Sequence, residues 1–167
     1  VAPSVLWSSH VKAYILPAAY SFTPNLRLEA DIPYLEKTLK GEYTGQELKA
    51  SGWGDVATTL KWRFGNEDTI QGITHVTVKF PTGNEKQFEG GQERLALGTG
   101  SYDFMINQTM SKFIGKFRVL ANLGYRFNTE SDYTETNNMG SNIKYENRAG
   151  NMFNYLVGLD YYTPLPG

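Results

Sequence analysis

Between residues 54 and 65, side chains of opposite character alternate one by one. Val56, Thr58, Leu60, Trp62 and Phe64 fall on one side, and Asp55, Ala57, Thr59, Lys61 and Arg63 on the other. A period of two marks an extended strand, because successive Cβ atoms point to opposite faces. The same alternation predicts strands over residues 10–22, 26–35, 70–80, 101–112, 116–127 and 152–163 as well. The apolar side of these strands carries Leu28 and Ile32, Val76 and Val78, Phe104 and Ile106, Val119 and Leu123, Tyr155 and Val157. In the first strand Tyr14, Leu16, Ala18 and Tyr20 take that side, and Pro17 predicts an edge or a bulge because it lacks a ladder donor.

Opposite the apolar side stands a charged one. The residues predicted to line it are Arg27, Glu29, Asp31, Asp55, Lys61, Arg63, His75, Lys79, Asp103, Lys116, Arg118, Arg126 and Asp160. A soluble barrel and a membrane barrel both alternate, but with opposite faces outward. Two features favour the membrane form. The strands are long, near the roughly 9–11 residues that a tilted strand needs to cross a bilayer, whereas soluble strands are nearer 5–6. The connections also alternate between tight turns (Thr23-Pro24-Asn25, residues 65–69, residues 113–115) and long polar segments at 36–53, 81–100 and 128–151. Short turns at one end and long loops at the other are the habit of an outer-membrane barrel. The expected fold is therefore all-β, an antiparallel up-and-down transmembrane β-barrel in one domain over 1–167. Leu60, Trp62, Val76, Phe104, Val119, Leu123 and Tyr155 would face lipid. Seven visible strands is an odd number, and single-chain bacterial barrels are even. The expectation is that these strands belong to a larger barrel with flanking strands beyond one or both ends.

Composition sharpens the picture. The chain has 167 residues, net charge −1, 11 Tyr, 9 Phe and 3 Trp, so aromatics are abundant in a chain of negative mean hydropathy. Girdles at two lipid–water interfaces would use them. No run of 18 apolar residues exists to form a spanning helix, a test that strands evade because half their residues are polar. The balanced, dispersed charge gives no pull toward nucleic acid. With no cysteine there is no disulfide framework and no thiolate metal site. Residues 1–6 lack the basic-then-apolar pattern of an export signal, so a signal would have been removed or lie outside this sequence.

Ser51-Gly52-Trp53-Gly54-Asp55-Val56, opening a strand, resembles the SGxGD signature of a bacterial outer-membrane family, the "MetA-pathway of phenol degradation" proteins. Three further stretches fit the same pattern in order: Phe80-Pro81-Thr82-Gly83-Asn84-Glu85-Lys86, Leu97-Gly98-Thr99-Gly100-Ser101-Tyr102-Asp103 and Leu123-Gly124-Tyr125. The resemblance implies a porin-like or uptake-channel barrel, for hydrophobic or aromatic compounds among others, in the bacterial outer membrane.

Asp55 and Asp103 each follow a glycine at the loop end of a strand. They predict either an acidic constriction or a cation site, or carboxylates that pair with neighbouring Lys and Arg and pin the rim. The inward charges as a whole could neutralise one another and fill a narrow barrel, or stand apart as a field across a wider one. Enzymatic chemistry finds little support. His10 and His75 lack metal-ligand spacing, and His75 with Thr77 and Asp103 would make a triad around a poor nucleophile. The glycine pairs at 52–54 and 98–100 do not join a strand to a helix, so they do not cradle phosphates. Glu130, Asp132 and Glu135 could hold a divalent cation bridging lipopolysaccharide, although a solvated loop explains them as well. The expectation is a non-enzymatic channel without cofactor or metal, whose partners are the lipid bilayer, lipopolysaccharide and a small solute. Two alternatives remain: a filled barrel acting as a subunit or sheath of a larger assembly, and a soluble lipocalin-like barrel.

Overall fold

The computed structural model describes residues 7–41, 47–66, 68–84, 88–89, 92–93, 95–136, 142–147 and 150–162. Every regular element in it is a strand. In chain order these are β1 (Trp7–Thr23), β2 (Leu26–Gly41), β3 (Glu47–Trp53), β4 (Val56–Phe64), β5 (Gln71–Phe80), β6 (Phe88–Glu89), β7 (Gln92–Glu93), β8 (Asp103–Ile114), β9 (Phe117–Asn128), β10 (Ser131–Thr136), β11 (Asn142–Asn147) and β12 (Met152–Tyr161). The main sheet is antiparallel and runs β1-β2-β4-β5-β8-β9-β12, each strand beside its neighbour in the up-and-down order, with β3 pairing the far end of β2. It curls into a half-barrel whose outer edges are β1 and β12.

All seven strands read from the alternation are present; six keep their bounds to within three residues, and the second runs six residues past its expected end, to Gly41. Pro17 sits on an edge strand, opposite Asp31, and the register irregularity falls further along, between Ser21 and Thr23. The turn expected at 113–115 lies instead at Gly115 and Lys116, where Gly115 takes φ 62°. A left-handed residue is what a two-residue hairpin turn demands. Lys116 is thus an exposed turn residue at the end of the sheet, which corrects its assignment to the inward wall.

The two faces differ as the alternation requires. Registered side by side, Tyr20, Leu28, Leu60, Val76, Ile106, Tyr125 and Phe153 form one apolar row across the sheet. The polar rows are Ser21-Arg27-Lys61-His75-Asn107-Gly124-Asn154 and, nearer the loops, Pro17-Asp31-Ala57-Lys79-Asp103-Asn128. Among the described residues none of the hydrophobic ones is buried, whereas Ser101, Asp103, Asn128 and Ser131 are. Trp62, Phe104 and Leu123 are 53%, 44% and 48% exposed. The apolar face is therefore the convex, outer one, the reverse of a soluble core. The polar face is not uniformly polar: Ile73, Met105, Leu120 and Leu156 share it by register. Conversely, Thr74 and Gln108 sit in the apolar face and satisfy each other, the Thr74 hydroxyl donating to Gln108 Oε1 at 2.6 Å.

None of the three long polar segments is loop throughout: β6 and β7 pair within 81–100, and β10 and β11 within 128–151. Residues 36–53 contain strand, not only loop: β2 runs on to Gly41 and β3 returns along it from Lys40↔Glu47 to Tyr34↔Trp53. Both faces are polar or mixed there, so no period-two apolar stripe announces it. β3 and β4 together run antiparallel to β2, with one extra residue inserted at Gly54-Asp55. This bulge is closed by Gly54 N–H donating to the Pro33 carbonyl at 2.8 Å. An extra residue flips the side on which each side chain points. As a result Trp53 and Val56 both look outward, and Asp55 looks inward.

Candidate functional site: the charged inner face and its clasped rim

Three groups of charges occupy the inner face. Near the tight turns, Glu29 accepts from Arg27 at 3.0 Å and from Lys61 at 2.7 Å. His75 sits across from Lys61 on β4 and Asn107 on β8. At mid-height the Thr59 and Thr77 hydroxyls share a hydrogen bond of 2.9 Å. Near the β8–β9 turn, Arg118 Nε donates to Asp160 at 2.9 Å, and its guanidinium lies 5.7 Å from the Tyr162 ring. Arg63 reaches over the adjacent turn to the Pro24 carbonyl at 3.0 Å.

The third group, at the loop end, draws together residues far apart in sequence. Lys79 Nζ lies 2.8 Å from Asp103 and 3.4 Å from Asp55, and Arg126 donates to the same Asp103 oxygen. The Asp55 and Asp103 side chains are only 7% and 6% exposed. Asp55 also accepts from Gly83 N–H at 3.0 Å, Thr99 N–H at 2.8 Å and the Thr99 hydroxyl at 3.0 Å. Ser101 Oγ donates to Asp103 at 3.2 Å. Arg126 Nε donates to Asn128 at 2.9 Å, and Asn128 Nδ2 continues the chain to the Gly150 carbonyl. Of the two roles open to these carboxylates, the geometry is that of a pinned rim: both are saturated by cations and N–H groups.

Residues 95–101 therefore form a strap drawn over the inner face. Besides Thr99 on Asp55, its Ala96 carbonyl accepts from Lys37. A Cβ on Gly52 would meet Leu97 Cδ1 at 2.9 Å, so Leu97 packs directly on the bare backbone of β3. The motif glycines have a physical reason in this crossing. A Cβ on Gly98 would stand 2.5 Å from Asp55 Oδ1 and 2.7 Å from the Gly83 carbonyl oxygen. Gly98→Ala is expected to loosen the strap and cost about 1–3 kcal/mol by overpacking. Gly150→Ala, where a Cβ meets nothing within 4 Å, is expected to be neutral. Urea unfolding in vesicles would compare them, and equal midpoints would refute the close crossing.

The alternation found the members of this site but not the partnerships. It could not show that Asp55, Lys79, Thr99 and Asp103 share one cluster. The inward-pointing Lys37 carried no sequence signal, and the strap was marked only by its motif residues from Leu97 on, not as a crossing, since both lie in segments read as loops. The drawn triad is not assembled: Thr77 is engaged by Thr59, and Asp103 by Lys79, Arg126 and Ser101. For the cation alternative in the last long segment, the side chains of Asp132 and Glu135 lie outside the described residues.

Aromatic pairs flank the apolar band at both ends. Tyr34 meets Trp53 edge-on at 5.4 Å and Phe80 meets Tyr102 at 6.1 Å at the loop end; Tyr20–Phe22 and Phe117–Tyr161 lie at the turn end. From Leu26 to Tyr34, β2 presents apolar residues outward over about nine positions, the crossing length of a tilted strand.

Comparison with known proteins gives three findings. The family described as "Putative MetA-pathway of phenol degradation" matches residues 2–164. No curated protein matches. Among solved structures, the chain is similar to the COG4313 outer membrane channel from Pseudomonas putida F1, with 22% identity and a TM-score of 0.49. That match covers 81% of this chain and 50% of the other, so the chain spans about half the length of that channel.

Proposed function

The chain belongs to the family described as "Putative MetA-pathway of phenol degradation", and on that premise we propose that it forms part of a bacterial outer-membrane β-barrel. The barrel passes small solutes, hydrophobic or aromatic ones among them, through a charged lumen with no catalysed step. Its partners are the bilayer, lipopolysaccharide and the solute. The observation that carries this reading is the inverted polarity of the sheet. An outer face of exposed Leu, Val, Phe and Trp needs hydrocarbon against it, and an inner face of paired ions needs water. Side-chain charge along the inner wall selects what passes, while the strap and its pinned ion cluster brace the loop end.

Planar-bilayer recording from the full-length protein tests it. Discrete channel events are expected, and well-folded protein without any would overturn the reading. Thr59→Arg and Asn122→Arg add a cation to the inner face beside Thr77 and Thr109 respectively. They are expected to fold and to shift reversal potential toward anion preference. Unchanged selectivity in both would place these residues outside the route.

The second reading, a filled barrel acting as a subunit or sheath, draws on the pairing of inner charges and on the strap. Absent conductance with retained folding would favour it.

A further inference from the structure

On the outer face, the apolar band of β1 and β2 stops abruptly. Reading outward from the girdle, β2 continues with Glu36, Thr38 and Lys40 after Tyr34, and β1 with Lys12 and His10 after Tyr14. These positions share a face with Leu28, Ala30 and Ile32, by unbroken alternation along β2. Meanwhile the inner side of the same extension becomes mainly apolar, with Val11, Ala13, Leu35, Leu39 and Leu48 around a single cation, Lys37, which donates to the Ala96 carbonyl of the strap. The polarity of the sheet thus reverses at the level of Tyr34 and Trp53. A residue two places beyond Tyr34 rises roughly 6–7 Å along the strand. Aromatic belts sit at headgroup level, so Lys12, Glu36, Thr38 and Lys40 fall in and just above the headgroup layer, facing away from the lumen.

These side chains enclose a groove of about 470 Å³, lined by His10, Lys12, Glu36, Thr38, Lys40 and Glu47. Its charges are arranged unevenly. Glu47 is shared by Lys49 at 3.0 Å and Lys40 at 3.2 Å, and these two ammonium groups hold its carboxyl below the usual carboxylate range. Two lysines against one carboxylate leave positive charge on the β2–β3 side. Lys12 faces Glu36 across β1–β2, with His10 opposite Thr38 one step further out. The result is a wet, donor-rich recess on a surface whose lower part is in hydrocarbon.

We propose that this groove binds a phosphorylated lipid headgroup of the outer leaflet, with Lys12 and Lys40 meeting the phosphate and Thr38 and His10 donating hydrogen bonds. Lysine stems can lie on the apolar rim while the ammonium reaches the phosphate layer, and charge-assisted hydrogen bonds to phosphate are the strong class. The inference rests on the membrane-spanning reading above and adds to it a lipid site separate from the solute route.

Native mass spectrometry of the full-length protein, released from detergent micelles, tests it with bisphosphorylated lipid A as the probe. Wild type is expected to retain the lipid. Lys12→Gln/Lys40→Gln is expected to retain at least tenfold less, and dephosphorylated lipid A to bind wild type as weakly as the phosphorylated form binds the variant. Lys116→Gln, at the opposite end of the sheet, is expected to match wild type. Equal retention by wild type and the double variant would overturn the site, as would equal binding of the dephosphorylated lipid. Full competition by millimolar inorganic phosphate would assign the groove to a free anion and overturn the lipid assignment. Unit conductance of the double variant in planar bilayers is expected to be unchanged. If conductance persists but lipid selectivity fails, only this inference falls. If the wild-type protein is monodisperse in water without detergent, the membrane reading falls first.

Discussion

Lys79→Met is expected to destabilise the folded protein by about 3 kcal/mol, the low end of the cost of stranding buried charge. The amine stands 2.8 Å from Asp103 and 3.4 Å from Asp55, with the two carboxylates 6–7% exposed. Removing it leaves Asp103 with Arg126 and leaves Asp55 with N–H and hydroxyl donors but no cation among the described residues. Two anions then face each other across a sheltered rim. The Lys79→Met/Asp55→Asn pair is expected to recover part of the loss, since residues in one ion network are not additive. The strap that hangs on Asp55 should loosen too, giving larger or noisier unit conductance than wild type. Unfolding in vesicles and single-channel recording measure both. A Lys79→Met protein as stable as Lys116→Met, which alters an exposed turn lysine, would show that the cluster does not hold the rim.

Leu60→Arg and Val119→Arg are expected to cost roughly 2–4 kcal/mol each if they lie at the bilayer midplane. Both side chains are on the convex face, 40% and 37% exposed, where the proposed barrel would meet hydrocarbon. Their sequence neighbours Thr59 and Leu120 point the other way, so Thr59→Arg should cost far less. Refolding into vesicles followed by urea unfolding gives the comparison. Equal losses for Leu60→Arg and Thr59→Arg would mean that the two faces do not see lipid and water.

The legible parts of this protein are those governed by local rules. Alternation in residues 26–35 or 116–127 follows from the two-residue repeat of a strand, and it assigned Leu28 and Val119 to one face and Glu29 and Arg118 to the other. The illegible parts have no such repeat. Residues 36–40 read Glu-Lys-Thr-Leu-Lys, which gives no apolar stripe because that stretch of β2 rises beyond the aromatic girdle and is wet on its outer side. The bulge at Gly54-Asp55 is likewise silent: only the shift in pairing between β2–β3 and β2–β4 exposes it. The candidate charges were individually visible, but an ion pair is a distance, and distance across a sheet depends on register.

By itself, then, the order of residues determined the seven main strands, the two faces of each and the charged residues that share one of those faces, because each follows from the backbone geometry of a single strand. Only the folded sheet decided that Asp55, Gly83, Thr99 and Asp103 meet around Lys79, that residues 95–101 cross the inner face as a strap, and that polarity reverses beyond Tyr34. Those outcomes depend on which residues of separate strands stand side by side, and pairing is settled by hydrogen bonds between chain segments, not within them.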